Sequence, residues 1–270
     1  MKKLTTLLIP FLVLMVSCSD EFSPSQSDHI TEIFDEIHIS DETNFYSDQR
    51  GDPASGHFTS YFDNETRQAD LNFENGMITS GSIWSEDGVL RMKYRYEDGY
   101  FRQTILNEDG QPVAEFLFDS NPVSPAGAAT WFDDGTLSLQ SDREMTRMWH
   151  ENGQLKMESQ LIDGKIDGKV IAWHDNGMIA AERHFQEDIP HGTFKEWNQE
   201  GNLISKKVYE TGMPAGPQLT WDSEGNLIEE KMYQDGKPHG THKKWDSDGN
   251  LLEKRLFKDG SIVSNRTTGR

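Results

Sequence analysis

Residues 192–216 read GTFKEWNQEGNLISKKVYETGMPAG, and the fold turns on this stretch. Gly192 to Trp197 has the length of a strand. Asn198-Gln199-Glu200-Gly201-Asn202 is built of the residues that turns use. Leu203 to Glu210 reads as the returning strand. Thr211 to Ala215 is a second turn, and Gly216 begins the pattern again. The spacing leaves no room for a helix. The glycines fall where tight hairpins need a positive φ.

Working outward, the pattern repeats. Trp149, Trp173, Trp197, Trp221 and Trp245 are each 24 residues apart. A glycine follows each at four positions: Gly153, Gly177, Gly201, Gly225 and Gly249. Leu155, Ile179, Leu203, Leu227 and Leu251 come next, then Leu161, Phe185, Tyr209, Tyr233 and Phe257. A further glycine ends the return strand at Gly164, Gly212, Gly236 and Gly260, with Asp188 as the exception. Asp235-Gly236 and Asp259-Gly260 are hairpin signals. The frame extends backwards with decay through Trp131, Leu106, Trp84 and Tyr61. About nine units are expected between residue 51 and the end. A fixed period of this length is the signature of a repeat architecture. The expected fold is all-β: an elongated, single-layer, twisted antiparallel β-meander of ~24-residue hairpins, each packing on its neighbours.

Strand alternation would place positions six, eight, ten and twelve after each Trp on one side. In one unit these are Leu203, Ser205, Lys207 and Tyr209. Leu and Tyr near the strand ends would then flank Trp from the neighbouring strand, making a ring stripe along one face. Such a stripe could bind glycans or peptides. Its strict repeat phase favours a core role instead.

The hydrophobic share is 34%, with seven Trp, seven Tyr and 14 Phe. That is low for a thick two-layer core. Acids outnumber bases 46 to 26, for a formal charge of −20. Such a surface repels nucleic acid and anionic headgroups, so nucleic-acid binding is excluded first. Cys18 is the only cysteine, which excludes a disulfide within the chain or a thiolate metal site.

The N-terminus carries a processing signal. Lys2 and Lys3 precede the apolar run Leu4 to Val16, which is too short to span a bilayer of about 20 residues. The run ends in Met15-Val16-Ser17-Cys18, which resembles a lipobox, with Met15 where Leu is usual. Residues 1–17 are expected to be a lipoprotein signal peptide and Cys18 the lipidated residue. Ser19 is not the Asp that retains such proteins in the inner membrane, and Asp20-Glu21 resembles the acidic export tag of surface lipoproteins. The expected location is the outer membrane and the cell surface. Residues 18–50 are read as a tether and possible cap, and 51–270 as the repeat domain. Ile30, Ile33, Phe34 and Ile37 have helical spacing, yet Phe34 to Ser40 could equally be a capping strand.

The Trp-x-x-x-Gly-x-Leu core, the later aromatic and the run Gln234 to Gly240 resemble the bacterial variant of the MORN repeat. Ile162 to Gly168 is a second good copy. The resemblance covers about 220 residues and extends to antitoxin-like proteins of the YwqK type. It implies an elongated twisted sheet and no catalytic residues. A cytosolic antitoxin would not need a lipobox.

His191 and His239 precede repeat glycines, and His150 and His174 follow repeat Trp residues. Catalysis seldom recurs once per repeat, so all four are read as turn residues. Asp246-Ser247-Asp248-Gly249-Asn250 looks like a calcium loop, but Leu251 stands where that loop needs glycine. It and its sister Asp222-Ser223-Glu224-Gly225-Asn226 are read as turns. Asn64-Glu65-Thr66 and Asn265-Arg266-Thr267 match glycosylation acceptors by accident. No catalytic residue, metal or cofactor is expected. The expected function is a lipid-anchored, non-catalytic scaffold for a protein or glycan partner. The alternative is an antitoxin-like protein that occludes a toxin. An unprotected final strand edge at Leu256 to Ser264 would invite another chain.

Overall fold

The computed structural model describes residues 38–39, 46–119 and 126–267. The signal peptide, Cys18, most of the tether and the helically spaced Ile30, Ile33, Phe34 and Ile37 lie outside the described residues. The chain divides into two compact units between Asp142 and Arg143. No described residue is helical, and the sheets are antiparallel throughout.

The first unit opens with the short pair β1 (His38–Ile39) and β2 (Tyr46–Ser47). A meander follows: β3 (Gly56–Tyr61), β4 (Arg67–Glu74), β5 (Met77–Trp84), β6 (Leu90–Glu97), β7 (Tyr100–Leu106), β8 (Pro112–Phe118), β9 (Gly127–Trp131) and β10 (Leu137–Ser141). Each strand pairs with the next.

The second unit holds the regular repeats: β11 (Met145–Trp149), β12 (Leu155–Ile162), β13 (Lys165–Trp173), β14 (Ile179–Gln186), β15 (Ile189–Pro190), β16 (Gly192–Trp197) and β17 (Leu203–Glu210). It continues through β18 (Met213–Pro214), β19 (Gly216–Trp221), β20 (Leu227–Gln234), β21 (Lys237–Pro238), β22 (Gly240–Trp245), β23 (Leu251–Lys258) and β24 (Ser261–Thr267). The forward strands end at the repeat Trp, as the sequence pattern predicts. Within this unit the meander is open: β11 and β24 are not paired with each other.

One register irregularity defines every unit. Glu196 pairs with Ser205, but Trp197 pairs with Leu203, leaving Ile204 as an extra residue on the return strand. The same shift recurs at Tyr61, Trp84, Leu106, Trp131, Trp149, Trp173, Trp221 and Trp245. The described residues therefore contain nine such hairpin units, as the period predicts. A one-residue slip exchanges the faces of a strand. Position six therefore does not share a side with positions eight, ten and twelve. Leu203 lies with Trp197 on one face, while Ser205, Lys207 and Tyr209 lie on the other. Simple alternation fails because it allows for no bulge.

The second turn is a two-residue hairpin with both φ angles positive, the pattern of a type I′ turn. Asn75-Gly76, Asp98-Gly99, Asp163-Gly164, Asp235-Gly236 and Asp259-Gly260 fit it with residues suited to that region. Glu187-Asp188 and Thr211-Gly212 adopt it with residues less suited to it. These turns also stack. The N–H of Gly212 donates to the Pro190 carbonyl at 2.9 Å, Gly236 to Pro214 at 3.1 Å and Gly260 to Pro238 at 2.9 Å. Asp188 repeats the link to Ile166 at 2.8 Å, and its carboxylate also accepts from the Ile166 N–H at 2.7 Å.

The two units bury different things. The first has an apolar core of Ala54, Ala69, Leu71, Phe73, Ile78, Ile83 and Met92, flanked by Tyr46, Phe58 and Tyr94. Tyr46 and Phe58 meet Phe73 edge-on at 5.5 and 5.4 Å, a favoured ring geometry. Gly76 N–H donates to the Ala54 carbonyl, as Gly212 does to Pro190, so residues 46–54 supply the turn contact of a preceding unit. They act as an N-terminal cap, burying a turn and sheet face otherwise open. Among the described residues the second unit has no such cluster. Its buried residues are the small or single Ser159, Val170, Ala181 and Ser205. It is the thin sheet that low hydrophobicity implies.

Candidate functional site

The first turn of each unit follows the Trp and is closed by its glycine. Gly201 N–H donates to the Asn198 carbonyl at 3.0 Å, and Gly201 has φ +85. Gly153, Gly177, Gly225 and Gly249 repeat that conformation at φ +79 to +90. Two side-chain solutions hold the turn. In the last units Asn198, Asp222 and Asp246 accept from N–H groups two and four residues on, an Asx turn. Those bonds, led by the one from Asn226, hold the Asp222 carboxyl below its ordinary range. In the earlier units His150 and His174 stand at that position and reach forward instead. Their Nε2 groups donate to the carbonyls of Trp173 and Trp197, each at 2.9 Å. Asn152 and Asn176 then hold their own turns, donating onward to the carbonyls of Asp175 and Gln199.

His191 and His239 sit in the bulge before a repeat glycine. Their backbone N–H groups donate to the carbonyls of His184 and Met232, both at 2.9 Å. The calcium-like segments at 222–226 and 246–250 spend an oxygen of their leading Asp on backbone N–H groups. Among the described residues no three His, Cys, Asp or Glu side chains converge as metal ligands would.

The rings form rows, but not the expected one. Phe185, Phe194 and Tyr209 contact in sequence at 5.3 and 4.8 Å. Tyr233, His242 and Phe257 do so at 5.6 and 4.2 Å. These rows contain no Trp. Phe194 and Trp197 are an odd number apart on one strand and point to opposite faces. The Trp face is polar: the Lys195 Nζ lies 5.8 Å over Trp197, Lys243 5.7 Å over Trp245 and Arg67 5.9 Å over Trp84. His242 and the equivalent Gln218 donate to the carbonyls of Met232 and Val208, both at 2.8 Å. Sequence reasoning missed this position, three before the Trp. Thr146, Val170, Phe194, Gln218 and His242 share it, so no single residue type flags it.

Cross-strand ion pairs run along the Lys195 face. Arg147 meets Glu158 at 2.7 Å, Lys169 and Lys195 share Glu182 at 3.3 and 3.6 Å, and Lys243 meets Glu230 at 2.8 Å. The ring face carries Arg183–Glu196 at 2.9 Å and Lys231–Glu229 at 2.6 Å. Both faces are half-exposed, so what the unit offers a partner is alternating charge, half-open rings and strand edges.

Fold and surface together define a β-hairpin repeat protein, with its chemistry in turns and edges. The family model of the MORN repeat variant matches residues 190–211 and 238–259. MORN repeats are generally protein-binding or scaffold repeats. No curated protein matches the chain. Among solved structures, the chain is similar to those of TcdB2-TccC3-TEV and TcdB2-TccC3-Cdc42. Identities are 11% and 10%, with TM-scores of 0.20 and 0.21. The match covers 78% of this chain in both cases and 13% and 14% of those chains.

Proposed function

We propose that the chain is a lipid-anchored surface protein, tethered through Cys18, whose repeat sheet serves as a non-catalytic scaffold for a protein or glycan partner. The observation that carries the anchor is the apolar run Leu4 to Val16 ending in Met15-Val16-Ser17-Cys18. The repeats support the scaffold part, since each unit offers the same turns and faces again. The non-catalytic part is supported by how the candidate side chains are used. His150 and His174 are committed to backbone carbonyls, and Asp222 and Asp246 to backbone N–H groups. A catalytic group needs unlike partners converging on one point.

The test is metabolic labelling with a fatty-acid analogue in wild type and Cys18→Ala, followed by surface proteolysis of intact cells. Label and shaving in wild type, with no label in the variant, support the proposal. An unlabelled wild type in the soluble fraction would overturn the anchor. The resemblance to antitoxin-like proteins would then favour a toxin-occluding role, read by co-purification of a toxin encoded nearby.

A further inference from the structure

The last strand is unlike the others. All seven residues of β24, Ser261 to Thr267, are exposed, including Ile262 at 54% and Val263 at 58%. Among the described residues no strand pairs with its outer edge. It lacks most of the devices that protect an edge. It has no proline, and its one charge, Arg266, lies near its end. Its bulge, at Val263, precedes Ser264 to Thr267, which run in regular register with β23.

Charge gives the edge a direction. Lys243 pairs with Lys254, and Lys254 with Arg266, so three cations stand directly opposite one another across three strands. Like charges in that arrangement are unfavourable. Only Lys243 is neutralised, by Glu230 at 2.8 Å. Nearby Glu253 is taken by Arg255. Lys254 and Arg266 are exposed and have no carboxylate partner among the described residues. This happens in a chain with 46 acids against 26 bases. A strand added beside β24 would place a residue opposite Arg266, where an acid completes the row.

The geometry points to the outer edge of β24 as a docking site for an extended, acidic segment of a partner protein, which adds as a further antiparallel strand. Backbone hydrogen bonds supply the affinity, as in other strand-addition complexes. A carboxylate opposite Arg266 and beside Lys254 sets the register. Apolar side chains of the segment cover Ile262 and Val263. The inference deepens the scaffold reading by naming the edge and the chemistry of the partner.

The test uses the full chain with a fluorescent peptide of alternating glutamate and valine, about seven residues long to match a strand. A lysine–valine peptide is the control. The acidic peptide is expected to bind and to protect the β24 amides from hydrogen exchange. The double variant Lys254→Glu, Arg266→Glu should weaken binding about tenfold, since each reversal replaces an attraction by a repulsion. Both side chains are exposed, so the variant keeps its fold. Equal binding by both peptides, protection elsewhere or an unaffected double variant would each overturn the site. Concentration-dependent self-association abolished by the double variant would reassign the edge to a second copy of the chain. These substitutions leave Cys18 untouched. Failed docking with intact fatty-acid labelling removes the edge alone, whereas lost labelling removes the anchor alone.

Discussion

At residue scale the repeat is held by backbone conformations that few side chains tolerate. Thr211 adopts φ +47 where the equivalent positions hold Asn75, Asp98, Asp163, Asp235 and Asp259. A β-branched residue is poorly suited to that region, and asparagine is among the best non-glycine residues there. Thr211→Asn should therefore raise stability by about 1 kcal/mol, a gain of the usual consensus size, read as a higher urea midpoint with an unchanged slope. Gly81 is the opposite case. It pairs with Leu71 at φ +139, and a Cβ there would sit 2.1 Å from the Asp70 carbonyl oxygen and 2.8 Å from the Leu71 Cα. Backbone atoms cannot step aside cheaply, so Gly81→Ala should cost roughly 3 kcal/mol or more. An unchanged denaturation midpoint would refute that close approach. The Thr211 turn was legible from its Thr-Gly pair in repeat phase. The need for glycine at 81 was not, because it arises from how closely one neighbouring strand approaches.

At element scale the period was legible and the faces were not. The hairpins, their turns and their number follow from Trp, Gly and aliphatic spacing. The sidedness depends on the bulge residue, such as Ile204, which looks like any other strand residue. That one residue separates the Trp row from the Phe and Tyr row. The two turn solutions were also hidden, because His174 and Asn198 occupy one position and do different work. His174→Ala should lose the bond to the Trp197 carbonyl and cost about 1 kcal/mol. His174→Asp should recover part of that by accepting from its own turn, as Asp222 does. Equal losses in the two variants, measured by urea unfolding, would show that the local solution does not substitute for the forward one.

At the scale of the whole molecule, one repeat grammar produces two kinds of body. The difference lies in what covers the sheet. Composition pointed to a thin sheet, and the second unit is one. The first unit departs because residues 46–54 close over Leu71 and Phe73, a tertiary contact that no repeat position encodes. That closure makes the first unit sensitive to alkali. Burial of the cap's own Tyr46 against Phe73 raises its phenol from 10.0 to about 12, and burial raises Tyr94 as well. A phenol is neutral below its pKa, so below about pH 10 neither folded nor unfolded chain carries this charge and the full stability is present. Between pH 10 and 12 the unfolded chain loses the Tyr46 proton while the folded one keeps it, and stability falls by about 1.4 kcal/mol per pH unit for that group. Tyr46→Phe keeps the ring contact with Phe73 and removes the titrating group. Wild type should therefore lose stability more steeply than Tyr46→Phe above pH 10, and the two should run parallel below it. The second unit supplies the internal comparison, since Tyr209 and Tyr233 sit in half-open ring rows rather than against an apolar cluster. Exchange protection in β16 to β20 should show the same pH trend in both proteins, while that of β4 and β5 should diverge. Parallel alkaline curves for the two proteins would mean that the contact of the cap with Phe73 does not seal Tyr46 from solvent.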